Sequence, residues 1–185
     1  MMKKFSSPIQ LETSRLILRQ WQASDLDAFA HLNADPEVML YFPSTLSKQQ
    51  SDLLAEKFQQ FIASYGWGMW AVELKENHQF IGFVGLADQP EKFSFSPCVE
   101  IGWRIDQRYW NKGYATEAAQ VCLTFAFEQL TLNQIVAFTV VSNQPSKKVM
   151  QRLGMHYVSS FKHPALDEQD PLAEHVLYRI ANPNL

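Results

Sequence analysis

Tyr109-Trp110-Asn111-Lys112-Gly113-Tyr114-Ala115-Thr116-Glu117-Ala118 separates two segments of different composition. Before it, Cys98-Val99-Glu100-Ile101-Gly102-Trp103-Arg104-Ile105 is rich in β-branched and aromatic residues and predicts a strand. After it, Ala115 to Leu130 is rich in Ala, Leu, Val and Phe and predicts a helix. Gly113 therefore stands at a strand-to-helix turn, where the first helical N–H groups lack intrahelical partners and the helix dipole favours negative charge. Such an end suits a phosphate group. Glycine takes positive φ cheaply and lets an anion approach the backbone, and the small Ala115 keeps the same clearance. A lone glycine before a helix marks a plain turn as readily as an anion cradle.

Outward from this turn, hydrophobic patterning places the other elements. Arg15 to Arg19 predicts a first strand, and Ser24 is placed to cap a helix from Asp25 to about Asn33. A second helix starts at Ser47, with Gln50 completing a capping box, and ends at Gly66. Trp70 to Leu74 and Phe80 to Leu86 flank a polar turn and predict an antiparallel hairpin. Downstream of the cradle helix, Ile135 to Val141 is an almost continuous apolar run, as in a strand covered on both faces. Pro145 suits the first turn of a helix that stops at Gly154, and Met155 to Phe161 and Glu174 to Ile180 complete the sheet. The result is an α/β layered fold with a mixed sheet.

The 185 residues are 46% hydrophobic and 19% charged, which suits one globular domain over residues 1–185. A net charge of −3 and a pI near 5.9 argue against a nucleic-acid binder. No apolar run is long enough for a signal peptide or a membrane span, so a cytoplasmic location is expected. Cys98 and Cys122 lack metal-ligand spacing and read as reduced thiols, and the five histidines show no metal pattern either. Gly113-Tyr114-Ala115 also lacks the lysine and hydroxyl of a nucleotide P-loop.

The cradle and its flanks resemble the GNAT acetyltransferase superfamily, with Gly113 and Ala115 at the last two fixed places of its Gln/Arg-x-x-Gly-x-Gly/Ala signature. Trp110 stands where most members carry Gln or Arg, and Asn111 where many carry glycine. Tyr-Trp before the glycine and Ala-Thr-Glu-Ala after it are similar to the RimJ/RimL branch, and the likeness extends from Leu11 to Arg179. The resemblance implies a GNAT fold with about seven strands, helices on both faces, and two central strands splayed apart. It implies acetyl-CoA as cosubstrate, with the pyrophosphate held at Trp110, Asn111, Lys112, Gly113, Tyr114, Ala115 and Thr116. Backbone at Trp103, Arg104 and Ile105 would hold the pantetheine arm, with Asn143 nearby.

Direct attack of a primary amine on the thioester is the chemistry this implies, and no metal is called for. An α-amine has a pKa of roughly 8 and a lysine amine about 10.4, so a proton must leave before or during attack. Glu100 is the carboxylate on the strand beside the expected thioester. Two readings stand for it, a base with a pKa raised by burial or a structural partner of Arg104 or Arg108. The departing thiolate needs a donor. Many superfamily members place a tyrosine seven residues after the asparagine, but Met150 holds that place and has no proton to give. The branch places a serine three residues after it, which Ser146 matches, while Asn143 also reads as a helix cap. Tyr41 and Trp67 are candidates for the acceptor cleft, although aromatics such as Trp70 are common core material. The acceptor is a protein N-terminus or a small-molecule amine, an acyl-CoA sensor without catalysis is the rival reading, and no oligomeric state is assigned.

Overall fold

A computed structural model describes residues 3–183. Eight strands form one sheet: β1 (Leu11–Glu12), β2 (Leu16–Arg19), β3 (Met69–Leu74), β4 (Phe80–Gln89), β5 (Cys98–Ile105), β6 (Gln134–Val140), β7 (His156–Lys162) and β8 (Glu174–Ala181). Their order is β1-β2-β3-β4-β5-β6-β8-β7, and every neighbouring pair is antiparallel except β5 and β6. The strand beyond the expected seven is β1. Two residues are too few to show alternation, and β1 exists through pairing of Leu11 and Glu12 with Leu18 and Ile17.

Four helices cover the sheet: α1 (Leu26–Ala34), α2 (Lys48–Tyr65), α3 (Tyr114–Glu128) and α4 (Gln144–Arg152). Successive side chains of a strand face opposite layers, and β4 shows the consequence. Phe83 joins Trp21, Phe29 and Phe58 beneath α1 and α2. Its neighbour Val84 pairs with Trp70, whose ring meets Phe125 of α3 edge-on across the other face. Helix α4 lies beside α3 and β6.

Local chemistry fixes the helix ends. Ser47 accepts from the Gln50 amide while the Gln50 side chain accepts from Ser47 N–H, and Gly66 ends α2 with φ 82°. The expected Ser24 cap is a correction. Ser24 lies inside a 3-10 turn, Ala23–Asp25, and Asp25 instead accepts from the Gln22 amide at 2.9 Å. Arg19 dictates this arrangement, because its guanidinium donates to both Asp25 oxygens and to Glu73. The side chains of Arg19, Asp25 and Glu73 are only 10%, 2% and 11% exposed.

Residues preceding β1 thread between the ends of α2 and α3. The Trp67 indole donates to Lys3 O and the Trp70 indole to Ile9 O, while Phe5 N–H reaches Tyr65 O. Trp67 is therefore core, at 1% exposure, and the expectation that it lines an acceptor cleft is overturned.

Removing one member of a buried ion cluster leaves the others desolvated without compensation. Arg19→Ala should cost about 3–5 kcal/mol, measured by urea unfolding.

Candidate active site

Antiparallel pairing holds β5 to β4 along its whole length, from Gln89–Cys98 to Gly82–Ile105. Toward β6 the ladder shrinks to one register pair, Glu100 with Val136. Parallel neighbours need a crossover connection, which α3 supplies. Beyond Glu100 the two strands part, so the β6-facing backbone edge of Ile101 to Ile105 has no ladder partner. One group on this stretch is already used, because the Trp110 indole donates to Ile105 O at 2.7 Å. Ile105 thus offers no free carbonyl to a pantetheine arm; Trp103 faces the open edge, whereas Arg104 O is turned against Gly82 of β4, which corrects the expected backbone role of Arg104.

At the end of this cleft the chain turns into α3. Asn111 (φ 60°) and Gly113 (φ 80°) are both left-handed, and Gly113 is the N-cap with no side chain capping the helix. Alternating backbone handedness gathers successive N–H groups into an anion-binding concavity, and the helix dipole points the same way. A side chain at Gly113 would be strained by its φ even though a Cβ would meet only Arg15 Nη2, at 3.6 Å. The turn is clasped from outside: Arg15 donates to Lys112 O at 3.0 Å and to Glu117 Oε2 through Nε at 2.7 Å. Glu117 also accepts from Thr13 and the Arg15 amide, and Arg15 lies 4.5 Å from the Tyr114 ring.

Glu100 lies on the sheet face covered by α1 and α2, in register with Ala87. Burial pushes its carboxyl up to about 7, against the opposing pull of a 2.8 Å hydrogen bond from Gln89 and of Lys92. No cation pairs with it among the described residues. Arg108 is engaged by Asp106 at 2.8 Å, and Arg104 donates to Asn33. The reading of Glu100 as an ion-pair partner is therefore overturned. Gly102, the next residue on this face, adds no side chain beside the carboxylate: a Cβ there would lie 4.0 Å from Glu100 Oε1 and 3.2 Å from the Met69 methyl, which packs over the glycine. Farther along, Phe93 and Phe95 from the loop after β4 pack with Phe138, Phe161 and His163. Burial, then His175, then Lys92 lower the His163 pKa to about 4, so this ring is neutral at physiological pH.

A cleft between splayed central strands, ending at an uncapped helix, matches a known family. Residues 15–156 match the model of the acetyltransferase (GNAT) domain. The chain belongs to the GNAT acetyltransferase family. It is 30% identical over 154 residues to YnaD of Bacillus subtilis, described as an uncharacterized N-acetyltransferase, covering 83% of this chain and 86% of that protein. It is 29% identical to the FsC-acetyl coenzyme A-N(2)-transacetylase of Aspergillus fumigatus, over 82% of this chain and 66% of that one. A Bacillus anthracis GNAT acetyltransferase superposes with a TM-score of 0.78 at 26% identity, covering 94% and 99% of the two chains. Mycobacterium smegmatis RimJ in complex with CoA-disulfide shares the fold, with a TM-score of 0.73 at 19% identity over 92% and 83%.

Within this acetyltransferase the remaining predicted residues fall into distinct places. Asn143 caps α4, accepting from Ser146 N–H at 3.2 Å and donating to Thr139 Oγ1 at 2.9 Å. The Ser146 hydroxyl makes no hydrogen bond among the described residues, and the residue is half-buried. Met150, one turn on, is 1% exposed within the core. Tyr41 is half-buried on the connection between α1 and α2, and its exposed neighbour Phe42 lies over Arg104, 4.1 Å from ring centre to guanidinium carbon. Arg15, Asn33 and Phe42 were not singled out by the sequence. The one local signal was Glu117, an acid in the first turn of a helix. Both cysteines are free. Among the described residues no group of three His, Cys, Asp or Glu could hold a metal, and no helix is long and apolar enough to cross a membrane.

A carboxyl whose folded pKa is raised weakens the fold as pH climbs from the ordinary carboxylate value toward about 7, because the unfolded chain releases the proton first. Glu100→Gln removes that penalty. Its stability relative to the parent should rise between pH 4.5 and 8 by up to about 3 kcal/mol, read from paired melts across that range.

Proposed function

We propose that this acetyltransferase moves the acetyl group of acetyl-CoA to a primary amine by direct attack within a ternary complex, with Glu100 as the base. The observation that carries the reading is the Glu100 carboxyl, raised to about 7, without a cationic partner, on the last paired rung before the cleft opens. The residues present fit the cosubstrate. N–H groups from Asn111 to Thr116 suit its pyrophosphate, with Lys112 and Trp110 beside them, and the open backbone edge at Trp103 suits its pantetheine arm. Acetyl-CoA supplies an activated thioester carbonyl.

Glu100 receives the proton of the incoming ammonium, directly or through one water. A carboxyl poised near neutrality serves better than an ordinary one near 4.3, because its basicity approaches that of the amine while it remains substantially ionised at physiological pH. Gln89 holds one carboxylate oxygen at 2.8 Å and leaves the other free to face the amine. Ser146 donates a hydrogen bond to the departing sulfur, since its hydroxyl has no partner among the described residues and Met150 is buried without a proton to give. The Phe93, Phe95 and Phe138 rings exclude water from one side and keep the amine poorly solvated, which favours its neutral form. A non-catalytic sensor has no use for an unpaired carboxyl in this position. The Aspergillus relative, named as an acetyl coenzyme A-N(2)-transacetylase, supports acetyl-CoA as the donor and a nitrogen as the acceptor.

With a good amine acceptor, kcat of the parent should rise with pH through an apparent pKa near 7. Glu100→Gln should lower it by about 10²–10⁴ and flatten that limb. Equal turnover at pH 7 would remove the base role. Ser146→Ala should cut kcat roughly 10-fold, consistent with about 1–3 kcal/mol for a hydrogen bond to developing charge, while calorimetry finds CoA affinity within a few-fold.

A further inference from the structure

Three of the six guanidinium groups face a carboxylate. Arg15 pairs with Glu117, Arg19 with Asp25 and Glu73, and Arg108 with Asp106. Arg104 does not. It makes no ion pair among the described residues, and its one hydrogen bond runs from Nη1 to Asn33 Oδ1. Its Nε is buried without any partner. Desolvating a cation with no counter-charge costs several kcal/mol, so its surroundings call for an explanation.

Those surroundings form a built site. Asn33 is fully buried and donates from Nδ2 to Ser51 Oγ at 2.9 Å, which orients its carbonyl oxygen toward Arg104. The rings of Phe42 and Phe83 lie 4.1 Å and 5.3 Å from the guanidinium carbon. Rings against a guanidinium hold its plane and leave the N–H groups in that plane as its polar outlet. Burial lowers the Arg104 pKa to about 10, so the group remains charged at neutral pH.

Arg104 also shares a sheet face with Glu100. Four residues along a strand span ~13 Å between Cα positions. Gly102 lies midway, and the Met69 methyl packs over it, 3.2 Å from where a Cβ would stand. A carboxylate that receives a proton and an unpaired cation thus stand at the two ends of one row, with the flexible Met69 side chain packed between them.

We propose that Arg104 anchors the acceptor, pairing with a carboxylate that the acceptor carries several bonds from its amine. The inference rests on the amine-acetylating reading of Glu100 and names the acceptor class for it. An α-amino acid, with one carbon between its amine and its carboxylate, is too short to reach both ends of this row. An ω-amino acid reaches both ends, and so does a short peptide with an acidic side chain at its second or third position. The shared chemistry is a primary amine and a carboxylate held apart. Arg104 acts here by side chain, its backbone carbonyl being turned toward β4.

The test compares acid and amide versions of one acceptor. 6-Aminohexanoate is set against 6-aminohexanamide, and the peptide Ser-Ala-Glu-amide against Ser-Ala-Gln-amide. The parent enzyme should favour the acid by roughly 10–100-fold in kcat/KM, mostly through KM, as a charge-assisted paired contact implies. The pair showing the larger ratio identifies the source of the amine. In Arg104→Gln the ratio should fall to about one, and Arg104→Lys should retain part of it. Arg179 is the control, because it lies on the same face in register with Val136 and also has a buried Nε without a partner. Arg179→Gln should keep the preference. Equal use of acid and amide by the parent overturns the proposal, as does an Arg104→Gln effect equal on both or a preference that vanishes only with Arg179. If Arg104→Gln fails to fold, the parent ratio and Arg104→Lys decide. Should no amine be acetylated at all, the base reading of Glu100 fails by itself, and calorimetric binding of 6-aminohexanoate against its amide then judges Arg104 separately.

Discussion

A single parallel contact in an otherwise antiparallel sheet, Glu100 against Val136, is the constraint from which the site follows. Parallel strands cannot be joined by a hairpin, so the chain must leave the end of β5, cross a face of the sheet as α3 and return as β6. The crossover puts a helix N-terminus at the end of β5 where the strands part. Cleft and cradle are thus two results of one topological step. Because the ladder stops after one rung, the backbone of β5 beyond Glu100 stays open to a ligand instead of being satisfied by β6. Glu100, on that rung, is held by the sheet while its carboxyl looks into the opening.

Charge is distributed unevenly across the molecule. Arg19, Asp25 and Glu73 form a buried and internally neutralised knot that joins β2, β3 and the turn into α1. Around the cleft the opposite holds: the Glu100 carboxyl lacks a cation, Arg104 lacks an anion, and two histidines have their pKa lowered by burial first of all. The first arrangement serves the fold. The second leaves groups whose solvation is incomplete until something else arrives, which is how binding sites differ from cores.

Features encoded by near neighbours were legible before the structure. The capping box of Ser47 and Gln50, the stop at Gly66, the hairpin of β3 and β4, and the Asn143 cap depend on residues three or four apart, and each stands where its pattern placed it. The cradle glycine and Glu100 were legible because a strand-to-helix turn and an acid on an apolar strand are local signals. What failed was decided at long range. Ser24 yielded to Asp25 because Arg19 recruits that carboxylate, and Trp67 went to the core because Lys3, 64 residues earlier, offers its carbonyl. Asn33 meets Arg104 across 71 residues and Arg15 meets Glu117 across 102, and no periodicity in the chain announces such partners.

The clasp of Arg15 on Lys112 and Glu117 ties the turn before α3 to the start of β2, beside the outermost strand β1. The two-residue edge strand is therefore part of the frame that sets the shape of the anion concavity, although it touches no ligand. Edge strands are the first elements of a sheet to fray, since they are paired on one side only. Fraying there loosens the hold on Lys112 O and with it the alternating backbone at Asn111 and Gly113. Occupancy of the concavity and pairing of the chain's first strand thus draw on one shared free energy, so a ligand held by the turn would slow amide exchange at Leu18, far along the sheet from the cleft it fills.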